Sequence, residues 1–300
     1  MPNTFTITSE KEARFYDEPD KDIWFEKGVW TPTGNQAPSV TTQTGVWPKG
    51  LGYWRWVISK GSEEEANAER DAGGRRGTRV HDNGEFMLRG GRINLHDFIE
   101  KYFNGDYEAG LPEWRKNEAF WQWYVDLGQP RIVKRRNGTP AMECKLFSWE
   151  YQYGGRPDVI LTGGELGHRK ILTDYKTGKG IYLNFWAQLA AYFQAWHEMG
   201  ECELDGAGIW RPNFRKNCGY DWELKTAEEM IDWFEDFKAC QRIWHRENPD
   251  KNARPVYEMM EELWFEDPPA DMEDHSDTPH ESTAAKSTRQ PSTSSSASPW

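Results

Sequence analysis

The sequence predicts an α/β (α+β) protein, a central mixed β-sheet flanked by helices. Three observations carry this. The middle of the chain, RIVKRRNGTPAMECKLFSWEYQYGGRPDVILTGG, alternates with period two and contains Asn137-Gly138, a strong hairpin-turn signal. An amphipathic helical stretch, LPEWRKNEAFWQWYVDLG, precedes it. Two more helical stretches, LNFWAQLAAYFQAWHEMG and TAEEMIDWFEDFKACQRIWHREN, follow it and are interleaved with further strand-like runs.

Taken in order, residues 1 to about 50 mix short β-like runs with turns. TFTIT alternates, and FYDEPDKDIWFEKGVW reads as strand, turn, strand. APSVTTQTGVWPKGLGYWRWVISKG leads into a helix over SEEEANAERDAG, with Ser62 as its N-cap. GGRRGTRVHDNGEFMLRG follows, punctuated by glycines, and INLHDFIEKYFNG is a short helix stopped at Asn104-Gly105. In the next helix Trp114, Phe120, Trp121, Tyr124 and Leu127 recur near helical spacing. HRKILTDYKTGKG, AGIWRPNF and GYDWELK read as strands, Gly200 ends one late helix and Thr226 caps the other. Residues 1–267 are expected to form one domain. Residues 268–300, rich in Ser, Thr and Pro, have almost nothing to bury and read as a disordered tail.

The net charge is −12, with seven acids against two bases from Glu266 onward. That balance argues against a non-specific nucleic-acid coat, which is normally basic. It leaves room for nucleic acid bound at a metal site, where ions supply local positive charge. Cys144, Cys202, Cys218 and Cys240 form no CxxC pair and read as reduced thiols of a cytoplasmic protein. The N-terminus has no apolar core of signal-peptide type, and no run of apolar residues is long enough to span a membrane. The 17 tryptophans are expected mostly in the core, with some free to act as stacking platforms.

The chemistry concentrates in GGRPDVILTGGELGHRKILTDYKT. Two strands joined by a glycine turn bring Asp158 and Asp174 close together if they pair antiparallel. Side chains alternate along a strand, so Asp174 and Lys176 point the same way. Two carboxylates suit a hard divalent cation such as Mg²⁺ or Mn²⁺. An ammonium beside them can orient a water or neutralise a scissile phosphate. This is the chemistry of metal-assisted phosphodiester hydrolysis. GGRRGTR carries no Walker lysine, so a phosphate-binding P-loop is rejected.

Six pieces in order, from Pro38 to Tyr192, resemble the PD-(D/E)XK nuclease superfamily in its RecB-like and phage exonuclease branch. They are the PSVT…YW lead-in, RRGTRVH, Glu143 placed before GGRPD, GGRPD itself, TDYKTGK and AQLAAY. The resemblance implies a restriction-endonuclease-like core. It implies His81, Asp158 and Asp174 as metal ligands, with the Tyr175 carbonyl as another, and Lys176 as catalytic lysine. Glu143 becomes an auxiliary ligand at the edge. Gln188 and Tyr192 steady the site or contact DNA phosphate. Arg76 and Arg79, with Arg75, become DNA contacts beside His81. Lys134, Arg135 and Arg136 at the hairpin turn either add to that surface or form a solvated tip. The cysteine spacing does not reproduce that of the iron–sulfur members, so no cluster is expected.

The reading that results is an Mg²⁺- or Mn²⁺-dependent deoxyribonuclease, an exonuclease more than an endonuclease. DNA is its partner, with a phage single-strand annealing or recombinase protein as a candidate second. The competing reading is a catalytically silent module that binds DNA ends or single strands. A tryptophan-rich carbohydrate binder explains the aromatics but not the ordered polar set.

Overall fold

The computed structural model describes residues 14–250 and 254–255. The TFTIT run and the tail after Pro268 lie outside the described residues.

The chain enters through β1 (Phe15–Pro19), α1 (Lys21–Lys27) and β2 (Pro32–Pro38). The run read as strand, turn, strand therefore carries a helix at its centre. Its signals are local: the Asp20 carboxylate accepts from the Ile23 amide at 2.9 Å, and Gly28 closes the helix in the left-handed region. Trp24 is buried, and its indole N–H donates to the Met199 carbonyl at 2.9 Å. Next come α2 (Val40–Gln43), a 3₁₀ turn (Thr44–Val46) and α3 (Leu51–Ser59).

Helix α4 spans Glu63–Leu88 without interruption and starts at Ser62, whose hydroxyl accepts from the Glu65 amide. Of the glycines expected to punctuate this segment, Gly73, Gly74, Gly77 and Gly84 lie inside the helix and Gly90 just beyond its end. Two of them serve packing. A Cβ on Gly77 would sit 2.9 Å from Thr177 Oγ1, and one on Gly84 would sit 3.0 Å from the Phe120 ring. Close approach to neighbouring elements outweighs the helix cost of glycine there, about 1 kcal/mol each.

Helix α5 (Leu95–Phe103) ends at Asn104 with φ 50°, and α6 covers Tyr107–Asp126. The α6 face differs by a small rotation from the one its spacing suggested. Trp123 is fully buried and Trp121 is exposed, because the inward stripe runs through Glu113, Asn117, Phe120 and Trp123.

The short strands β3 (Arg131–Ile132), β4 (Leu146–Ser148) and β5 (Tyr153–Gly155) lead to β6 (Val159–Thr162) and β7 (Ile171–Tyr175). The chain continues through α7 (Leu183–Glu198), β8 (Gly206–Pro212), β9 (Tyr220–Thr226), α8 (Ala227–Glu247) and β10 (Arg254–Pro255). A five-stranded sheet runs β3-β6-β7-β8-β9. Its β7–β8 pair is parallel, bridged by α7, and its other pairs are antiparallel. β1, β2 and β10 form a second sheet, and β4 and β5 a third.

Helices cover both faces of the main sheet, so β6 and β7 are buried along nearly their whole length. Ile160, Leu172 and Ile209 pack towards α7 and α8 with Trp186, Leu189 and Phe237. Val159, Leu161, Ile171, Tyr175 and Trp210 pack the other way, against Phe120 and Trp123 of α6 and Val80 of α4. Among the described residues no helix is long and apolar enough to cross a membrane.

Candidate active site

Strands β6 and β7 pair antiparallel with Val159 opposite Thr173. That register sets Asp158, just before β6, beside the end of β7. The Asp158 Oδ2 accepts the Tyr175 amide at 2.5 Å, which locks the carboxylate to the neighbouring strand. The location is the carboxyl end of a strand that leads into a crossover helix, where open α/β sheets place their ligands.

Alternation along β7 splits the polar residues between the two layers. Asp174, in step with Leu172, faces α7; Tyr175 faces α4 and α6. Lys176 forms an ion pair with Asp174. Its ammonium also donates to Gln188 Oε1 at 3.4 Å and lies 4.8 Å from the centre of the Phe185 ring. The Gln188 amide donates onward to the Tyr192 hydroxyl at 3.0 Å. A Cβ on Gly155 would collide with the Tyr192 ring, so only glycine lets that ring sit there.

His81 reaches the site from the opposite layer. Two polar pairs set the rotation of α4 against α6. Arg79 grips Glu113 with two hydrogen bonds, at 2.5 and 2.8 Å, and Asn83 donates to Asn117 at 3.1 Å. His81, between them in sequence, is thereby aimed at the strand end. Its Nδ1 lies 3.3 Å from Asp158 Oδ1, and its ring meets Tyr175 edge to face at 5.7 Å.

Glu143 completes a cluster. Ligand atoms of His81, Glu143 and Asp158 all lie within 4.8 Å of one another. The Glu143 amide donates to the Asp158 carbonyl at 2.9 Å, and Glu143 holds φ 49°, a costly conformation for a non-glycine residue. Glu143, expected at the edge, lies within this cluster. Asp174 is not one of its three members; it stands opposite Asp158 across the hairpin and pairs with Lys176.

The electrostatics follow from burial and mutual charge. Burial disfavours the His81 imidazolium, yet the adjacent Asp158 carboxylate, aided by Asp174, outweighs it and raises the group to about 9. Burial, then the Asp158 charge, pushes the Glu143 carboxyl up to about 7. Burial lifts Asp174 to about 6, with Lys176 restraining the rise and Asp158 adding to it. Burial also works against the Asp158 carboxylate, but His81, Lys176 and the Tyr175 amide together hold it below the usual range.

Several expected DNA contacts have other partners. Arg79 is paired with Glu113, and Tyr192 is buried behind Gly155. Gln188 is buried against Lys176, which makes it a support for the lysine. Arg76 is half-exposed on α4. The hairpin bases divide: Lys134 and Arg136 are exposed at the turn, and Arg135 is not. Arg135 is buried, pairs with Glu201 at 2.7 Å and lies over the rings of Trp24 and Trp196. Arg136 donates to the Phe25 carbonyl at 2.6 Å.

The cluster opens into a cleft of about 580 Å³ whose wall includes Arg14, Thr78, Asp82, Glu85 and Arg156. Thr78 and Arg156 fall within the RRGTRVH and GGRPD stretches, whereas Arg14, Asp82 and Glu85 lie outside the motifs legible in the sequence. Glu85 stands one helical turn beyond His81, so a continuous α4 would have placed it on the same face. The chain matches no protein-family model, and no curated protein matches it.

Proposed function

We propose that the protein is a divalent-metal-dependent DNA nuclease, an exonuclease that hydrolyses phosphodiester bonds in phage-type recombination, repair or processing in a host cytoplasm. One observation carries the reading. A three-donor cluster, His81, Glu143 and Asp158, adjoins an ion-paired Asp174 and Lys176 at the carboxyl end of one strand. The donor chemistry fits the cation. Two carboxylates and one imidazole within 4.8 Å of one another suit Mg²⁺ or Mn²⁺. His81, Glu143 and Asp158 would hold it, with the Tyr175 carbonyl at the strand end as a further donor.

A divalent cation supplies Lewis-acid charge to phosphoryl oxygens and acidifies water. The chain's own residues do the rest. Lys176 keeps a positive charge where negative charge develops on the phosphoryl group. Asp174 and Gln188 fix the direction of that ammonium. Tyr192 fixes Gln188, and the Asp158–Tyr175 hydrogen bond keeps the two strand ends in register.

The test is cleavage of linear duplex, linear single-stranded and closed circular DNA with Mg²⁺ and Mn²⁺, with Lys176→Ala and EDTA as controls. Digestion of linear DNA alone, lost in both controls, is the expected result. Nicking of the circle moves the protein to the endonucleases. Metal binding without cleavage of any substrate overturns the nuclease and favours a DNA-binding module that serves a recombinase or annealing protein.

A further inference from the structure

The cleft is divided by charge. Its α4 wall carries Asp82 and Glu85 next to His81, while across it stand two guanidinium groups, Arg14 and Arg156. Arg156 is the single exposed residue in the otherwise buried run 153–161. An exposed arginine between Gly155 and Pro157, where every neighbour is packed inside, is held out by its backbone. Arg14 is fixed in a similar way. Its amide donates to Thr42 Oγ1 at 3.1 Å, and its carbonyl accepts the Ser39 amide at 2.7 Å. Ser39 in turn bridges to Gly154, two residues before Arg156.

These two cations differ from the other ordered arginines nearby. Arg79, Arg135 and Arg211 each meet a carboxylate at 2.5 to 2.7 Å. Arg156 has only a loose approach to Glu143, at 3.8 Å with its side chain 46% exposed. Among the described residues Arg14 has no ion pair, and its side chain opens to the cleft. Both guanidiniums act on the Tyr16 phenol: burial raises that group, and Arg156 and Arg14 pull it back.

Contacts across the site give an order: Lys176 with Asp174, Asp158 with His81, Glu143, then Arg156. Lys176 and Arg156 stand at opposite ends, with the donor cluster between them. A phosphate at the cluster is served by Lys176. The arginine end has capacity for a different one, and arginine matches phosphate oxygens through paired N–H donors.

We infer that Arg14 and Arg156 form a phosphate-binding wall of the cleft and hold a phosphate of the nucleic acid other than the one hydrolysed. The identity of that nucleic acid as substrate rests on the nuclease reading. The phosphate is either a terminal monoester or an internal diester, and the chemistry of the wall accepts both.

The experiment compares wild type with Arg156→Ala, Arg14→Ala and Arg156→Lys. The substrates are oligonucleotides with a 5′-phosphate, a 5′-hydroxyl, or an internal methylphosphonate near the end. Each alanine is expected to raise KM about tenfold with kcat little changed. Each should also lower the slope of log affinity against log salt by ~0.7 on single strands or ~0.9 on duplex. Arg156→Lys should recover the salt slope. A preference for 5′-phosphate that disappears in the alanine variants identifies the terminal group. Equal losses on both end types, matched by the methylphosphonate in wild type, identify an internal phosphate. Unchanged KM and salt slope in both alanine variants, with melting temperatures like wild type, overturn the inference while leaving the nuclease intact. If no substrate is cut, the same oligonucleotides are titrated by fluorescence anisotropy in EDTA. Dependence of binding on the two arginines then upholds the wall, and independence overturns it.

Discussion

Gln188 holds Lys176 from the following helix: its side-chain oxygen accepts the lysine ammonium at 3.4 Å, across twelve positions of sequence. The strand end and α7 are thereby tied through the lysine to which the proposed hydrolysis assigns the positive charge. Removing the amide with Gln188→Ala is expected to lower kcat by about tenfold to a hundredfold, since misplacement of order 1 Å carries such costs. KM should hold. Lys176→Ala should abolish turnover, and a Gln188→Ala enzyme with wild-type kcat sinks the positioning role.

Asp158 does two jobs that two substitutions separate. Asp158→Asn keeps an acceptor for the Tyr175 amide. It should melt near wild type yet lose metal binding and cleavage. Asp158→Ala also leaves that buried N–H unpaired, at a cost of about 1–3 kcal/mol. Calorimetry of the two variants with and without Mn²⁺ reads both effects.

The metal-free site makes stability fall as pH rises. Asp174, Glu143 and His81 all bind protons more tightly in the folded chain than in the unfolded one. Their contribution is full below their ordinary values of 3.8, 4.5 and 6.5. It is lost as pH climbs through about 6, about 7 and about 9 respectively. Asp158 works the other way, contributing above the ordinary carboxylate range and fading only in acid. A cation held by the cluster competes with the protons on Glu143 and His81. The rise in melting temperature on adding Mg²⁺ or Mn²⁺ should therefore grow between about pH 5 and about pH 9. A shift that shrinks over that range contradicts the ligand set.

Two glycines of α4 should respond oppositely to alanine. Gly74 has open space where the methyl group of alanine would stand, so Gly74→Ala should stabilise by about 1 kcal/mol through helix propensity. Gly84 faces the Phe120 ring in the core, and Gly84→Ala should destabilise by roughly 1–3 kcal/mol. Urea titration of both is sufficient, and equal effects would falsify the packing account of that helix.

Arg135→Ala strips a buried pair and leaves Glu201 uncompensated, with an expected loss of about 3–5 kcal/mol. DNA affinity, measured where the variant is still folded, should not change.

The β6–β7 hairpin, the pairing of Asp174 with Lys176 and the caps at Ser62, Asn104 and Thr226 were legible in the sequence because each is local. A period, a turn residue or a cap carries its signal within a few positions. The misread features are of another kind. Helix α4 looked broken because its glycines answer to Thr177 and Phe120, which no local pattern reveals. Arg79 and Arg135 looked like free bases because Glu113 and Glu201 lie 34 and 66 residues away. Trp121 and Trp123 exchanged places because a helical stripe rotates by a large angle for each residue of error in its phase.

Helix α4 is thinly anchored for its length. Apart from its first residue, it buries only Ala66, Val80, Asn83 and Gly84, whereas ten of the sixteen residues of α7 are buried. Asp158 and Asp174 meet through a short hairpin and need little loop closure, but His81 must return across some seventy-seven residues of intervening chain to reach Asp158. Local opening is cheapest where few apolar contacts are broken. The sheet can thus keep its two acids and its lysine in place while α4 lifts and carries the imidazole away, so amide exchange along α4 should be fast relative to α7, and the cation affinity of the proposed site should track the docking of that one helix rather than the stability of the whole domain.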